Sequence, residues 1–424
     1  MSSLELTYRS SLLLICWLAL LYLYLLASKR EKSFLNILTP FVLVFSIRNY
    51  FLEGWRLFRT EPWGSDTSFT MVVLTSTIQA AALIIGFMVI RKDLSLRFFQ
   101  IKKASKSYWL ESLIFLALAI FAFLPIYREF GLLVILDPRA VYIQTRTGWG
   151  LSYFLSSFFV YFSLLFTLFS ITPKKTNIAL VICFYSILLF ALGSKGKILG
   201  AWMMVFFWYL KTFQPRFSAK ISLVVLAASL PLAAIFISTF TTGESNNQGG
   251  TLTKIDYASL YSDYNKNEAL VLDDNFDIEF GRIFFEDYVV SKIPRTLYPE
   301  KPKDFGQFSL AKKYYPDWFY GDTGSPSFGK ASYFVDFGYL AILIIPLVSF
   351  LSGCVLSLLW NNSKVTKDPY NFSLFLLSNG VAFLAAGAGS FTIETLIIIT
   401  ILFYMRYHYI SKPKLAALRT STPA

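Results

Sequence analysis

Arg139 and Arg146 in LDPRAVYIQTRTGWG, Arg282 and Arg295 in FDIEFGRIFFEDYVVSKIPR, and Lys195 and Lys197 in ALGSKGKILG are the side chains whose types and settings suit chemistry on an anion. A guanidinium offers a planar fork of donors that matches phosphate and keeps its charge. The glycines around Lys195 and Lys197 let backbone N–H groups and two ammonium groups converge on one point. Such a set suits a pyrophosphate-bearing ligand. Each member also has a plainer use: lysines at a short turn reach lipid headgroups, and arginines among carboxylates form exposed ion pairs. A spacing links two of the regions, because Arg139 precedes Gly150 by eleven positions and Arg295 precedes Gly306 by eleven. Composition alone yields such a pair about once in a chain of this make-up, so its weight comes from where both instances fall.

What positions these residues is a membrane scaffold. The 424 residues are 55% hydrophobic and 18% aromatic, with mean hydropathy +0.54, beyond what a soluble core of this length needs. Apolar runs long enough to cross a bilayer are expected near 10–27, 34–52, 69–90, 109–127, 152–171, 177–192, 198–210, 221–240, 333–359, 370–388 and 391–410. They are continuous and not alternating, so the expected fold is an all-α polytopic membrane protein of about eleven helices. Lys29, Arg30 and Lys32, then Arg91, Lys92, Arg97, Lys102, Lys103 and Lys106, then Lys174 and Lys175, then Lys211, Arg216 and Lys220, then Lys364 and Lys367, and Lys412, Lys414 and Arg419 fall on alternate connections. The positive-inside rule makes that side cytoplasmic. Connections 53–68, 128–151, 193–197, 241–332 and 389–390 then lie outside, and every cation of the opening set is on that outer side.

The chain divides into helices one to eight over 1–240, a large outer loop over 241–332, and helices nine to eleven with a cytoplasmic tail over 333–424. The loop holds about half of the 26 acidic residues and is net acidic. GESNNQGG at Gly243–Gly250 marks its start, TLTKIDYASLYSDYNKNEALVL and FDIEFGRIFFEDYVVSKI are helical candidates, and Pro294, Pro299, Pro302, Pro316 and Pro326 impose irregular backbone. Tyr314, Tyr315, Trp318, Phe319 and Tyr320 suit either stacking on sugar rings or seating at the membrane interface.

Several functions are excluded or disfavoured. The charge of +13 is mostly topogenic, with no soluble basic domain to take nucleic acid. Cys16, Cys183 and Cys354 fall inside expected spans and serve packing, so no disulfide framework is expected in the loop. The sole histidine, His408, lies near the inner end of the last span, and no ligand spacing points to a metal or other cofactor. GSKGK lacks the glycine spacing of a nucleotide-binding loop. Basic residues follow the first apolar run and do not precede it, so that helix is expected to be retained.

Two outer loops that each carry Arg, ten residues and Gly resemble the paired motifs of Wzy-type O-antigen polymerases. IPRTLYPEKPKDFG followed by GDTGSPSFGKASYFVDFG resembles the segment that precedes a late span in bacterial oligosaccharide repeat-unit polymerases. GSKGK is similar to that group's small-residue junction, usually Gly-Ser-Arg-Gly, with Lys195 where Arg is common. Lysine keeps the charge there but not the bidentate fork.

The resemblance implies a GT-C-like membrane glycosyltransferase of the bacterial inner membrane, its active site facing the periplasm. Its donor and acceptor would be oligosaccharides linked to undecaprenyl pyrophosphate, with membrane lipid around it and a chain-length regulator protein as a further candidate partner. It assigns Arg139, Arg295 and Lys195 to pyrophosphate, with Arg146, Lys197, Arg282 and Lys301 as supporting cations. The attacking hydroxyl calls for a carboxylate base, and Glu279, Asp287, Glu300, Asp322 and Asp336 lie near those cations. Each of these also serves as an ordinary solubilising charge. Glu394, inside the last span after GAGS, is a further candidate because an acid in lipid is costly, and an ion pair with Arg48 is its structural alternative. A lipid-linked oligosaccharide flippase or other transporter is the competing function, although transporters place ionisable groups at the midplane between repeated halves and no duplicated half is visible here. A scaffold subunit that docks partners through the loop is a third.

Overall fold

The computed structural model describes residues 3–59, 63–92, 94, 107–138, 140–141, 150–172, 174–192, 195–215, 263–274, 276–293, 298–320, 328–365 and 369–383, and among these there are helices and turns but no strand. The first half comprises α1 (Ser3–Glu31), α2 (Thr39–Ser46), a wider π turn (Ile47–Phe51), α3 (Leu52–Arg59), α4 (Asp66–Val89), α5 (Trp109–Phe130), α6 (Gly150–Ser170), α7 (Lys175–Ala191) and α8 (Lys195–Phe213). The second comprises α9 (Asp263–Asp273), α10 (Arg282–Tyr288), α11 (Gln307–Tyr314), α12 (Pro316–Tyr320), α13 (Ala331–Phe337), α14 (Ala341–Val365) and α15 (Pro369–Phe383). Among the described residues five stretches are long and apolar enough to cross a bilayer: α1, α4, α5, Ser152–Ser170 within α6, and Ala331–Val365. The chain is therefore built as a multi-pass membrane protein. Expected spans 221–240 and 391–410 lie outside the described residues.

The expected span 34–52 is not one regular helix. It passes from α2 through the π turn into α3, and the extra residue per turn rotates Arg48 and Asn49 relative to the α-helical register. Asn49 Nδ2 donates to Phe45 O at 3.1 Å within this wider turn.

The closest packing joins α4 to α14. A Cβ on Gly86 would lie 2.1 Å from Phe350 O, and one on Gly353 would lie 2.1 Å from Leu83 O. Two glycines thus bring two backbones together, which is how helices gain packing where lipid supplies no hydrophobic drive. On the other side of the bundle α5 packs along α6, and a buried hydroxyl network binds α5, α6 and α7: Ser112 Oγ lies 2.6 Å from Thr167 Oγ1, and Ser163 Oγ lies 2.6 Å from Tyr185 Oη. Of the cysteines, Cys16 is buried, Cys354 is half-buried and Cys183 is exposed on α7, and all are free thiols.

The polar loop is folded onto the bundle. Val271, Ile283, Leu310, Phe328, Ala331 and Val335 form its own apolar core. Tyr314 and Tyr315 pack on Phe328, with ring centroids 5.8 and 6.2 Å away, and their hydroxyls donate to Asp274 Oδ2 and Asn267 Oδ1. These two rings are therefore part of the loop interior, while Tyr320 is exposed. Asp273 fastens α9 to the start of α4, accepting from Ser65 N at 2.9 Å, Ser65 Oγ at 2.6 Å and Ser68 Oγ at 3.1 Å.

Candidate functional site

The loop carries a network centred on α10. Arg282 forks onto Glu279, with Nε to Oε2 at 2.7 Å and Nη2 to Oε1 at 3.0 Å, and its Nη1 donates to both oxygens of Glu286 at 3.1 Å. These charge-assisted bonds hold the Glu279 carboxyl below its usual range and raise the guanidinium further. Asp336 is buried on α13 and accepts from Ile283 N at 3.0 Å and Phe284 N at 2.7 Å, so it caps α10, whose preceding residue is the left-handed Gly281. Glu279 N also donates to Val335 O at 2.9 Å, which sets α10 against α13.

Gly306, the glycine of the second Arg–Gly spacing, has a physical requirement. Its φ is +56°, and a Cβ would lie 2.0 Å from Asp287 Oδ1. Its N–H donates to Glu286 Oε2 at 2.6 Å, and the next amide, Gln307, donates to Asp287 Oδ1 at 3.1 Å. The backbone therefore sits in a cradle of two α10 carboxylates that only glycine fits. Lys301 is buried nearby, where its ammonium donates to Ser291 O at 2.9 Å and Ile293 O at 3.2 Å and lies over the Phe305 ring. Glu300, just before it, is exposed.

The GSKGK junction packs on α6, the helix that follows the first Arg–Gly spacing. The Lys197 ammonium lies 3.4 Å from the centre of the Tyr153 ring and donates to Ser157 Oγ, while Tyr161 Oη donates to Lys197 O at 2.7 Å. Tyr153, Ser157 and Tyr161 are on α6, which begins at Gly150, the glycine of the first spacing. The GSKGK junction is thus pinned, through Lys197, to the first turns of α6. Arg139, Arg146, Arg295, Asp322 and Glu394 lie outside the described residues, as does the side chain of Lys195. Among the described residues no three His, Cys, Asp or Glu side chains gather as metal ligands.

A buried ionic cluster, which sequence reading did not assemble, lies where loop and bundle meet. Lys330 Nζ is 3.2 Å from Glu268 Oε2, with side-chain exposures of 7% and 1%, and it also donates to Ser76 Oγ on α4. Burial pushes the Glu268 carboxyl up and the Lys330 ammonium down, and their mutual attraction opposes both shifts. Arg48, on the π turn, lies 3.7 Å from the centre of the Tyr264 ring. Glu53 accepts from Trp63 Nε1 at 2.8 Å and Asn265 Nδ2 at 3.1 Å. Among the described residues, Arg48 Nε, Gln79 Nε2 and Glu268 Oε1 are buried without a hydrogen-bond partner. A signal was present in the sequence: Arg48 interrupts an apolar run, and Glu268 stands in NEALVL, whose Ala269 and Val271 are core residues.

Two O-antigen polymerases, from Salmonella typhimurium and Salmonella typhi, are each 28% identical to this chain over 384 residues, covering 89% of it and 91% of their own length. No family model matches the chain. No solved structure matches it either. The chain thus resembles O-antigen polymerases along nearly its whole length, well beyond the three motif regions from which the resemblance was read.

Proposed function

We propose that this chain is a repeat-unit polymerase that joins lipid-linked oligosaccharides at the periplasmic face of a bacterial inner membrane. The observation that carries the reading is the similarity to two O-antigen polymerases over nine-tenths of both chains. In the proposed reaction a sugar hydroxyl of one lipid-linked repeat attacks the anomeric carbon of the growing glycan on another. The new C–O bond forms as the bond to undecaprenyl pyrophosphate breaks; the pyrophosphate leaves with the electron pair, and the hydroxyl proton passes to a carboxylate.

Charge that develops on the departing pyrophosphate calls for fixed cations. In this reading Arg139, Arg295 and Lys195 bind it, and Arg146 and Lys197 support them. Lys197 does so while pinned to the first turns of α6. Arg282 and Lys301 act by shaping the loop, since Glu279, Glu286 and two backbone carbonyls engage their donors. Among the carboxylate candidates Glu279 and Asp336 have both oxygens engaged and Asp287 holds Gln307, whereas Glu300 is exposed to an incoming hydroxyl. Asp322 and Glu394 remain further candidates for the base.

The test is a set of single substitutions, Arg139→Ala, Arg295→Ala and Lys195→Ala, in cells that make the polymer. Loss of the glycan ladder with normal protein abundance and intact single-repeat lipid intermediates is expected. Intermediates held on the inner leaflet would point to a flippase instead.

A further inference from the structure

Away from the loop, the C-terminal ends of α1, α4, α8 and α14 converge on a cavity of about 250 Å³. Its wall includes Glu31, Lys32, Lys92, Gln214 and Lys364. Glu31, 7% exposed, is shared by two lysines: Lys364 Nζ lies 3.1 Å from Oε2 and Lys92 Nζ lies 3.4 Å from Oε1. Lys32 forms no ion pair with a described residue. Among the described lining residues, three ammonium groups against one carboxylate leave two positive charges around the space.

Part of this has a routine cause. Helix C-termini attract cations, and the lysine-rich connections gather on this side. Arg30 answers to that need, with Nη1 donating to Phe87 O at 2.6 Å and Nη2 to Ile90 O at the end of α4. The backbone does not follow from it. Among the described residues only Lys32 (φ +55°), Gln214 (φ +43°) and Phe280 adopt positive φ without being glycine, and two of the three line this one cavity. Both end a helix, Lys32 N donating to Lys29 O and Gln214 N to Leu210 O. Glycine fills such positions without steric penalty. Here a cationic and an amide side chain are kept in spite of it, and left-handed non-glycine residues concentrate at ligand clamps.

We propose that this cavity is a phosphate-binding site, in which Lys32, Lys92 and Lys364 supply charge and the Gln214 amide supplies a neutral donor. The ligand is a phosphate group, carried either by an anionic lipid headgroup, as basic pockets between helix ends on the cytoplasmic side bind, or by a soluble phosphoryl compound. The inference does not depend on the polymerase reading.

The experiment uses delipidated full-length protein in neutral detergent and follows thermal unfolding against phosphatidylglycerol, phosphatidylcholine and inorganic phosphate, each titrated separately. A rise with phosphatidylglycerol alone assigns a lipid, and a rise with inorganic phosphate as well assigns any accessible phosphate group. No preference for either net-anionic ligand over phosphatidylcholine, whose phosphate is neutralised by its own ammonium, overturns the site. Lys32→Gly and Gln214→Gly separate binding from capping, because both relieve the left-handed strain and keep the fold. Lys32→Gly is expected to raise the unliganded melting temperature while weakening phosphatidylglycerol about fivefold, the effect of one surface lysine. If Lys32→Gly and Gln214→Gly stabilise the protein and bind phosphatidylglycerol as the wild type does, these residues are helix caps only and the proposal fails.

Discussion

Substituting Glu268 by Ala leaves the Lys330 ammonium 7% exposed, with Ser76 as its remaining polar contact among those described. Removing one partner of a buried pair costs about 3–5 kcal/mol, because the other charge stays desolvated. The bond to Ser76 is present with or without Glu268 and offsets none of that, so a loss of about 3–5 kcal/mol is expected. Replacing both partners, Glu268→Leu with Lys330→Met, removes the charges together and should recover most of the loss, since apolar replacement of buried pairs is often neutral. Denaturant unfolding of the purified protein in detergent, completed as a four-member cycle of wild type, the single Glu268→Leu and Lys330→Met variants and the double, yields the coupling energy. Proteolysis of the loop then reports whether α9 and α13 come off the bundle as the pair is broken. Costs that add to within about 0.5 kcal/mol would show that the two groups do not sense each other, and the account of how the loop is seated would be lost.

Gly306→Ala should destabilise the loop by more than Gly281→Ala. Both glycines have positive φ, but only Gly306 has a carboxylate where the methyl would go, and loop proteolysis compares them. Gly353→Leu should reduce folded yield because its side chain meets the Leu83 carbonyl, whereas Gly54→Ala, with open space around it, should be neutral or slightly stabilising; size-exclusion profiles distinguish the two. Arg282 holds the Glu279 carboxyl below its ordinary pKa, and Lys312 does the same for Asp304. Depressed acids add stability above their unfolded pKa and lose it as pH falls through the folded one. The share of loop protection that these two pairs supply, taken as the difference between wild type and a Glu279→Gln, Asp304→Asn variant toward an acid-tolerant protease, should therefore be flat near neutrality and decline only below about pH 4; a difference that declines around neutrality would contradict this.

The positions of the long apolar helices could be read from the chain because hydropathy alone demands them, and α4, α5 and α6 follow the expected runs closely, whereas α1 (Ser3–Glu31) extends past the run 10–27 at both ends. The π turn at Ile47–Phe51 could not, since nothing in the local residue types distinguishes a widened turn from a regular one. The three motif regions were visible as residues, but their physical content was not. Gly306 stood out by spacing, while its reason, the cradle of Glu286 and Asp287, needs a fold in which α10 lies beside it. Arg282 looked like an outward cation because sequence does not show that Glu279 and Glu286 close on it. The Glu268–Lys330 pair was out of reach for the same reason: the partners are 62 residues apart and meet only once α9 and α13 dock on α4.

The central claim is that this chain forms glycosidic bonds between lipid-linked repeats. Its most direct test is to supply the purified protein, in vesicles, with a single defined repeat unit on undecaprenyl pyrophosphate and no nucleotide, and to resolve the products by size. A ladder of oligomers, with one undecaprenyl pyrophosphate released per bond formed and lost in Arg295→Ala, is the predicted result. An unextended repeat that the wild-type protein only moves between leaflets would contradict the account.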